Sequence, residues 1–235
     1  MTRINKAVIL AAGLSSRLYP LTLNRPKVLL SIGSETILER SIRLLRESGI
    51  RDILIVVGYM HDVIRKTLGQ SVDYQLNPFF ADTNNMASLW FAKEWVQDAP
   101  FVYLHGDIVY APELLGLLCR GNIEDAALLV DYGPTDEEAM KVRVEGGRFI
   151  ESNKNIPPDK AMGEWVGIAV FKHPHVLFDM IETLLKNKHF QAYDTLAFTE
   201  MAREGTDFAI ISTDNYPWVE VDTESDLERA RRLFG

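Results

Sequence analysis

Apolar residues recur along the chain in two alternating rhythms. Continuous apolar runs at Lys6–Ala11 and Asp52–Val57 read as strands buried on both faces, because a parallel strand covered by helices has no polar side to show. Between them, residues 35–48 place Ile37, Leu38, Ile42, Leu44 and Leu45 at helical spacing and stop before Gly49, a natural residue for a helix end. Helical spacing returns at 60–68, 85–96 and 111–118, and further strands are predicted at 72–76 and Phe101–His105. This alternation predicts a mostly parallel sheet with helices on both faces.

After residue 122 the rhythm changes. Ala126–Asp131, 141–144, 148–152 and 164–171 read as strands joined by Gly- and Pro-containing turns. Helices are predicted at 174–187 and 194–204, then strands at Phe208–Ser212 and 218–221, and a last helix from Thr223. There is no internal repeat and no linker-like stretch. The expected fold class is therefore α/β: a Rossmann-like three-layer α/β/α arrangement whose mostly parallel sheet is mixed by antiparallel additions, forming a single domain over 1–235.

Composition narrows the partners. With 47% apolar and 25% charged residues, collagen-like and disordered readings are excluded. The net charge is -8, but residues 1–100 carry 12 basic and 9 acidic side chains (+3), and the remainder carry 13 and 24 (-11). An acidic chain without a basic block is a poor ligand for nucleic acid or anionic membranes, since it cannot displace counterions from phosphates. Small anions in one half and cations in the other are the candidate ligands. No apolar stretch approaches the roughly 18 residues of a bilayer span, so no membrane insertion is expected. Arg3 and Lys6 precede the apolar run 7–14, at the lower limit of a signal-peptide core, but Arg17 follows at once and the run also reads as the first strand. The single cysteine, Cys119, cannot form an internal disulfide, which fits a reducing compartment and a cytoplasmic protein.

Open parallel sheets bind ligands outside the carboxyl ends of their strands, so loops 11–27, 77–85 and 106–110 carry the interest. In the first, Ala11, Ala12, Gly13, Ser15 and Ser16 let backbone N–H groups converge into an anion-binding nest. Arg17 adds a planar fork of donors and Lys27 a compact positive charge. The spacing is neither that of a Walker loop nor of the dinucleotide fingerprint. A surface turn whose arginine pairs with a carboxylate is the competing reading. Asp107, just past a buried strand, can hold Mg2+, though a Gly-Asp pair also suits a plain turn. Asp222 ends a predicted strand, and the following Thr223–Asp226 resembles a helix cap into which Asp222 could fold. Thr83, Asn84 and Asn85 suit either a helix cap or a base edge. The histidines, His105 among them, show no metal-ligand spacing and read as core or surface residues.

The strings VILAAGLSSRLYPLT (8–22), RPKVLLSIG (25–33) and ILERSIRLLRESGIRDILIVVGY (37–59) resemble the N-terminal signature of the nucleotidyltransferases that make NDP-sugars and CDP-alcohols. The resemblance is close over roughly residues 5–60 and looser beyond. It implies a fold of the nucleotide-diphospho-sugar transferase type, with a nucleotide-binding subregion at 1–122 and an acceptor-binding, metal-completing subregion at 123–235. It further implies that Leu10, Ala11, Ala12, Gly13, Ser15, Ser16 and Gly106 contact an NTP, with Arg17 and Lys27 as catalytic phosphate ligands. Asp107 and Asp222 would together hold the catalytic Mg2+. Family members often carry a second glycine where this chain has Ser15.

The Asn-Asn-x-x-Ser-Leu string from Asn84 to Leu89 is similar to the choline-phosphate and aminoalkylphosphonate cytidylyltransferase branch, which implies CTP with Asn84, Asn85 and Ser88 near the nucleotide. Lys154 follows a predicted strand where relatives commonly carry a lysine for the acceptor, with Lys160 as its rival. Glu164 and Gly167 resemble a "GE..GI" string of the same branch. Tyr193 and Asp194, with Trp165 and Trp218, are candidates to hold a cationic amine by charge and aromatic face, while Asp194 also fits a helix cap. The expected activity is transfer of a nucleotidyl group from CTP to a small phosphorylated or phosphonylated alcohol, releasing pyrophosphate. Two readings stay open beside it: a hexose-1-phosphate nucleotidyltransferase, and a non-catalytic nucleotide-binding regulatory subunit. Oligomeric state is not legible.

Overall fold

The computed structural model describes residues 4–120 and 123–235, the side chains of Ser16, Cys119 and Arg120 apart. Expectations that rest on Arg3, on the Cys119 thiol, on the Ser16 side chain and on the boundary at residue 122 lie outside the described residues. The first half contains β1 (Lys6–Ala11), β2 (Ser31–Ile32), β3 (Glu35–Thr36), α1 (Ile37–Glu47), β4 (Asp52–Val57), α2 (His61–Leu68) and β5 (Asp73–Leu76). It continues through α3 (Asn85–Trp90), α4 (Lys93–Val96), β6 (Phe101–His105), β7 (Ile108–Tyr110) and α5 (Glu113–Arg120). The second half adds β8 (Ala126–Asp131), β9 (Lys141–Glu145), β10 (Arg148–Asn153) and β11 (Gly163–Phe171). It ends with α6 (Pro174–Lys186), α7 (Asp194–Arg203), β12 (Phe208–Ser212), β13 (Trp218–Glu220) and α8 (Glu224–Phe234).

Nine strands form one mixed sheet. β6, β1, β4 and β5 are parallel neighbours, and β11 runs antiparallel beside β6. β8 pairs antiparallel with the other side of β11, and β12 runs parallel to β8. The β9–β10 hairpin attaches to the start of β11. The sheet thus runs through both halves of the chain, with a packed core on each of its faces.

Alternation along β1 explains the layering. Ala7, Ile9 and Ala11 enter one core with Leu38 and Leu45 of α1, while Val8 and Leu10 enter the other with Met86 and Leu89 of α3. A third, smaller core packs α8 through Leu227 and Ala230 onto Leu18, Leu30, Val109 and Val219. No helix among the described residues is long and apolar enough to cross a membrane.

Several elements differ from expectation for local reasons. The helix expected from residue 35 starts at Ile37, because Thr36 caps it. Its side chain accepts from Glu39 N–H, and the Glu39 carboxylate accepts from Thr36 N–H at 2.9 Å. The helix expected over 85–96 divides after Trp90, where bonds tighten to the three-residue spacing, Phe91 to Ser88 and Ala92 to Leu89. That tightening keeps Met86, Leu89 and Ala92 in line on the buried face. Strand β7 was not expected. It pairs antiparallel with β13, and Val221 N–H donates to Asp107 O at 3.0 Å, which draws the turn after β6 and the end of β13 together.

Candidate active site

The carboxyl ends of β1 and β6, the end of β13 and the β8–β9 connection open onto one cavity of about 850 Å³. One end of it is the loop after β1. Leu10, Ala11, Ala12, Gly13 and Ser15 all line it, and around Gly13 a side chain would meet nothing within 4 Å. Ser15 has φ 56, a left-handed conformation that glycine adopts freely and other residues seldom do. That is the physical reason a second glycine suits this position. Gly106 does not line the cavity. Its N–H donates to Leu10 O at 2.8 Å, and a Cβ there would stand 2.4 Å from the same oxygen, so Gly106 lets β6 close onto β1.

Two carboxylates and two cations meet at the cavity floor. Lys27 is buried in a single 3-10 turn, and its Nζ lies 2.8 Å from Asp107 Oδ2 and 2.7 Å from Asp222 Oδ1. Arg17 Nη2 reaches Asp222 Oδ2 at 2.7 Å. Burial opposes the charge on Lys27, but Asp107 and Asp222 raise its pKa above the usual lysine value. Burial likewise opposes ionisation of Asp107, and Lys27 with His105 holds that carboxyl below the usual range. The helix cap after Asp222 belongs to other residues: Thr223 and Asp226 form a capping box, leaving the Asp222 side chain free to face the cavity. Asp107 Oδ1 is buried and has no hydrogen-bond partner. Two converging carboxylates that already share one cation, with an oxygen to spare, suit a hard divalent ion such as Mg2+.

Lys154 lines the cavity and Lys160 does not. Lys154 Nζ pairs with Glu138 Oε2 at 2.9 Å and lies 5.5 Å from the centre of the Tyr193 ring. Glu138, absent from the sequence-based candidates, also faces Arg17 at 3.9 Å. Its carboxylate thus stands between Arg17 and Lys154.

Asn84, Asn85 and Ser88 line the cavity, but their side chains already have protein partners. Asn84 Oδ1 accepts from Asn85 N–H at 2.8 Å, and its amide donates to Gln191 O. Ser88 Oγ accepts from Asn77 at 2.9 Å, and Asn85 Oδ1 accepts from Asp194 N–H at 2.9 Å. These contacts tie α3 to α7.

Asp194 lies under the cavity wall. It is fully buried, is the first residue of α7, and is not its cap. Its Oδ2 accepts from Tyr103 OH at 2.5 Å and meets His105 Nε2 at 2.8 Å. No face of it is open to an amine, in contrast to the role expected. Tyr193, 41% exposed, does reach the cavity. Trp165 is buried with its N–H on Ile168 O, and Trp218 donates to Asp131 Oδ2.

Gly167 breaks the regular pairing of β11 at φ +79, and a Cβ there would press on the His105 ring at 3.2 Å. Glu164, on the same strand, has its carboxyl pushed up to about 7 by burial and by Asp136. His105, read as a core or surface residue, is half-buried and lines the cavity. Its pKa rises to about 9: burial works against the charge, and Asp194 more than compensates. His105, Asp107 and Glu220 each bring one donor atom within 4.8 Å of the others. The His-x-Asp spacing across the β6–β7 turn was the available signal. Glu220 had none, because its neighbours come from β7.

Residues 7–188 match the MobA-like NTP transferase domain. The CTP:phosphoglutamine cytidylyltransferase of Campylobacter jejuni is 27% identical over 94% of this chain and 97% of its own length. The CMP-5'-(3-aminopropyl)phosphonate synthase of Streptomyces rubellomurinus is 25% identical over 97% of this chain, which spans only 38% of that protein. The solved CTP:phosphocholine cytidylyltransferase of Streptococcus pneumoniae superposes with a TM-score of 0.81 at 23% identity, covering 98% of this chain and 99% of that one. Family model, relatives and fold agree with the loop and carboxylate geometry: the chain belongs to the MobA-like NTP transferase domain family and is a nucleotidyltransferase.

Proposed function

We propose that the chain transfers a cytidylyl group from CTP to a small phosphorylated or phosphonylated alcohol, such as phosphocholine or an aminoalkylphosphonate, releasing pyrophosphate. Residues 1–235 act as one catalytic domain in this reading, with Mg2+ as cofactor. The observation that carries it is the Lys27 ammonium held between Asp107 and Asp222 on the cavity floor, beside the loop after β1. All three compared proteins carry CTP or CMP in their names, which supports CTP over other nucleotides.

The acceptor's phosphate or phosphonate oxygen is anionic at neutral pH, so no side chain has to remove a proton. That oxygen forms the new bond to the α-phosphorus as the bond to pyrophosphate breaks. Catalysis is then positioning and charge stabilisation. Arg17, 58% exposed, and Lys27 exchange their carboxylate partners for the phosphates of the nucleotide, and the loop amides hold the rest. Lys154 exchanges Glu138 for the acceptor's anionic group and aims it at the α-phosphorus. Asp107 and Asp222 would hold Mg2+, which when bound would supply Lewis-acid charge to the phosphates.

The test is pyrophosphate release from four NTPs against phosphocholine, aminoethylphosphonate, phosphorylated amino-acid derivatives and sugar 1-phosphates. The expected result is a dominant CTP pair that vanishes in a folded Asp107→Ala variant. Turnover only with a sugar 1-phosphate, or near-normal Mg2+-dependent rates in the variant, would overturn the reading.

A further inference from the structure

Asn85, expected beside the nucleotide, has the acceptor candidates for neighbours. Its Oδ1 accepts at 2.9 Å from Asp194 N–H, the amide that follows Tyr193. Asn84 before it donates to Phe190 O through its backbone N–H and to Gln191 O through its side chain. The start of α3 is thereby stitched to residues 190–194, the segment that carries Tyr193 to the cavity beside Lys154. The Asn85 NH2 faces His105, and Trp165 of β11 packs on that ring, centroids 4.9 Å apart.

One group of Asn85 has no partner. The bond from Asp194 N–H fixes the side-chain amide, because turning it over would set NH2 against N–H. Nδ2 then lies 3.3 Å from His105 Nε2. That nitrogen cannot accept. It lies 2.8 Å from the buried Asp194 carboxylate, to which Tyr103 OH also donates, and a carboxylate only accepts, so Nε2 carries a proton. Two donors therefore face each other, and among the described residues nothing else accepts from Asn85 Nδ2. Asn85 lines the cavity, so an oxygen that enters it can take the unused hydrogens.

We infer that Asn85 is a specificity residue for the acceptor, its NH2 donating to an oxygen of the acceptor's phosphate or phosphonate. An anionic oxygen suits the place, because Lys154 borders Tyr193 and Asn85 holds the amide that follows it. Lys154 supplies charge, and Asn85 supplies a donor whose direction Asp194 fixes. An ammonium or trimethylammonium end has no lone pair to offer and would leave the donor unpaired. The acceptor is therefore held with its phosphorus end toward α3 and its other end away from it.

The inference rests on the transfer reading for its ligand, and its test separates the two. The full chain is saturated with Mg2+ and α,β-methylene-CTP, which cannot release pyrophosphate. The Asn85 NH2 signals, assigned through its own backbone, are followed in proton–nitrogen correlation spectra. Phosphocholine or aminoethylphosphonate is then added, with choline and ethylamine as counterparts lacking phosphorus. The phosphorus-bearing probes move the Asn85 signals downfield, and choline and ethylamine leave them in place. This measurement needs no variant. Asn85→Asp keeps the oxygen for Asp194 N–H and replaces only the donor, so it raises the acceptor KM about tenfold or more while the CTP KM stays within about twofold. Signals that move with the CTP analogue and no further with a phosphorus-bearing probe, or with no probe at all, overturn the role. An equal rise of both KM values in folded Asn85→Asp does the same. The downfield shift in a chain that releases no pyrophosphate from CTP supports Asn85 and sinks the transfer reading. Pyrophosphate release with either phosphorus-bearing probe, in a chain whose Asn85 signals stay in place, sinks the role of Asn85 alone.

Discussion

Lys27 and Asp222 lie 195 residues apart in the sequence, yet Lys27 Nζ and Asp222 Oδ1 are 2.7 Å apart at the cavity floor. With Asp107 on its other side, Lys27 balances two carboxylates that would otherwise repel each other in a poorly solvated place.

Removing that ammonium should therefore cost stability in a way a divalent ion repairs. Lys27→Met strips Asp107 of its ammonium and leaves Asp222 with Arg17 alone, and is expected to lower unfolding free energy by about 2–3 kcal/mol, below the full cost of a wholly buried pair because both acids reach solvent. Urea denaturation measures it. Added Mg2+ should recover part of the loss in the variant and do less for the parent chain. Equal stability of the two chains without metal would contradict the balance described.

In the proposed reaction Lys154 meets the acceptor's anionic group, so its loss should appear in acceptor binding. Lys154→Met is expected to raise the acceptor KM about tenfold while the CTP KM moves little, since one charge-assisted contact is worth about 1.5 kcal/mol or more. Glu138→Gln, which frees Lys154 and Arg17 from their internal carboxylate, should lower the acceptor KM. Steady-state pyrophosphate release with each substrate varied separately reads both effects. A CTP-specific change in Lys154→Met would move that residue to the other end of the cavity.

Glu164 makes a distinct pH signature. Its folded carboxyl titrates near 7 against an ordinary 4.5, so the folded state holds a proton that the unfolded state has already lost in between. Its contribution to stability is fully present below about 4.5 and falls away as pH rises through about 7. Glu164→Gln cannot lose that proton, so its stability gain over the parent chain should grow across this window and level off above it. Denaturation midpoints at a series of pH values give the answer, and a pH-independent difference would refute the assignment.

Backbone strain at Ser15, after β1, and at Gly167, within β11, is testable by exchanging serine for glycine and glycine for alanine. Ser15→Gly relieves a left-handed residue and should stabilise the fold by about 1 kcal/mol. Gly167→Ala does the reverse, adding a Cβ at φ +79 against the His105 ring. Thermal unfolding of the two variants should shift in opposite directions.

Much of this architecture was legible in local pattern. The strands Lys6–Ala11, Asp52–Val57, Phe101–His105, Ala126–Asp131 and Phe208–Ser212 begin and end where the apolar runs do, because burial on both faces leaves a continuous signal in the chain. Short motifs also marked out the loop after β1, Arg17, Lys27, Asp107 and Asp222 as candidates, and folding brings them to one cavity. What local pattern could not carry was partnership. The β7–β13 ribbon is only three residues on each side, too short for a periodic signal, yet it brings Asp107 to Asp222 and adds Glu220. Asp194 read equally well as a cap or an amine ligand until packing placed it beneath the wall against Tyr103 and His105. The charge asymmetry between +3 and -11 halves was visible from the start, but only folding turned part of it into contacts, Arg17 and Lys27 of one half against Asp107, Glu138 and Asp222 of the other. Periodicity reports which face of an element is buried, whereas the partners of a charged side chain depend on distances across the sheet that no local stretch of sequence contains.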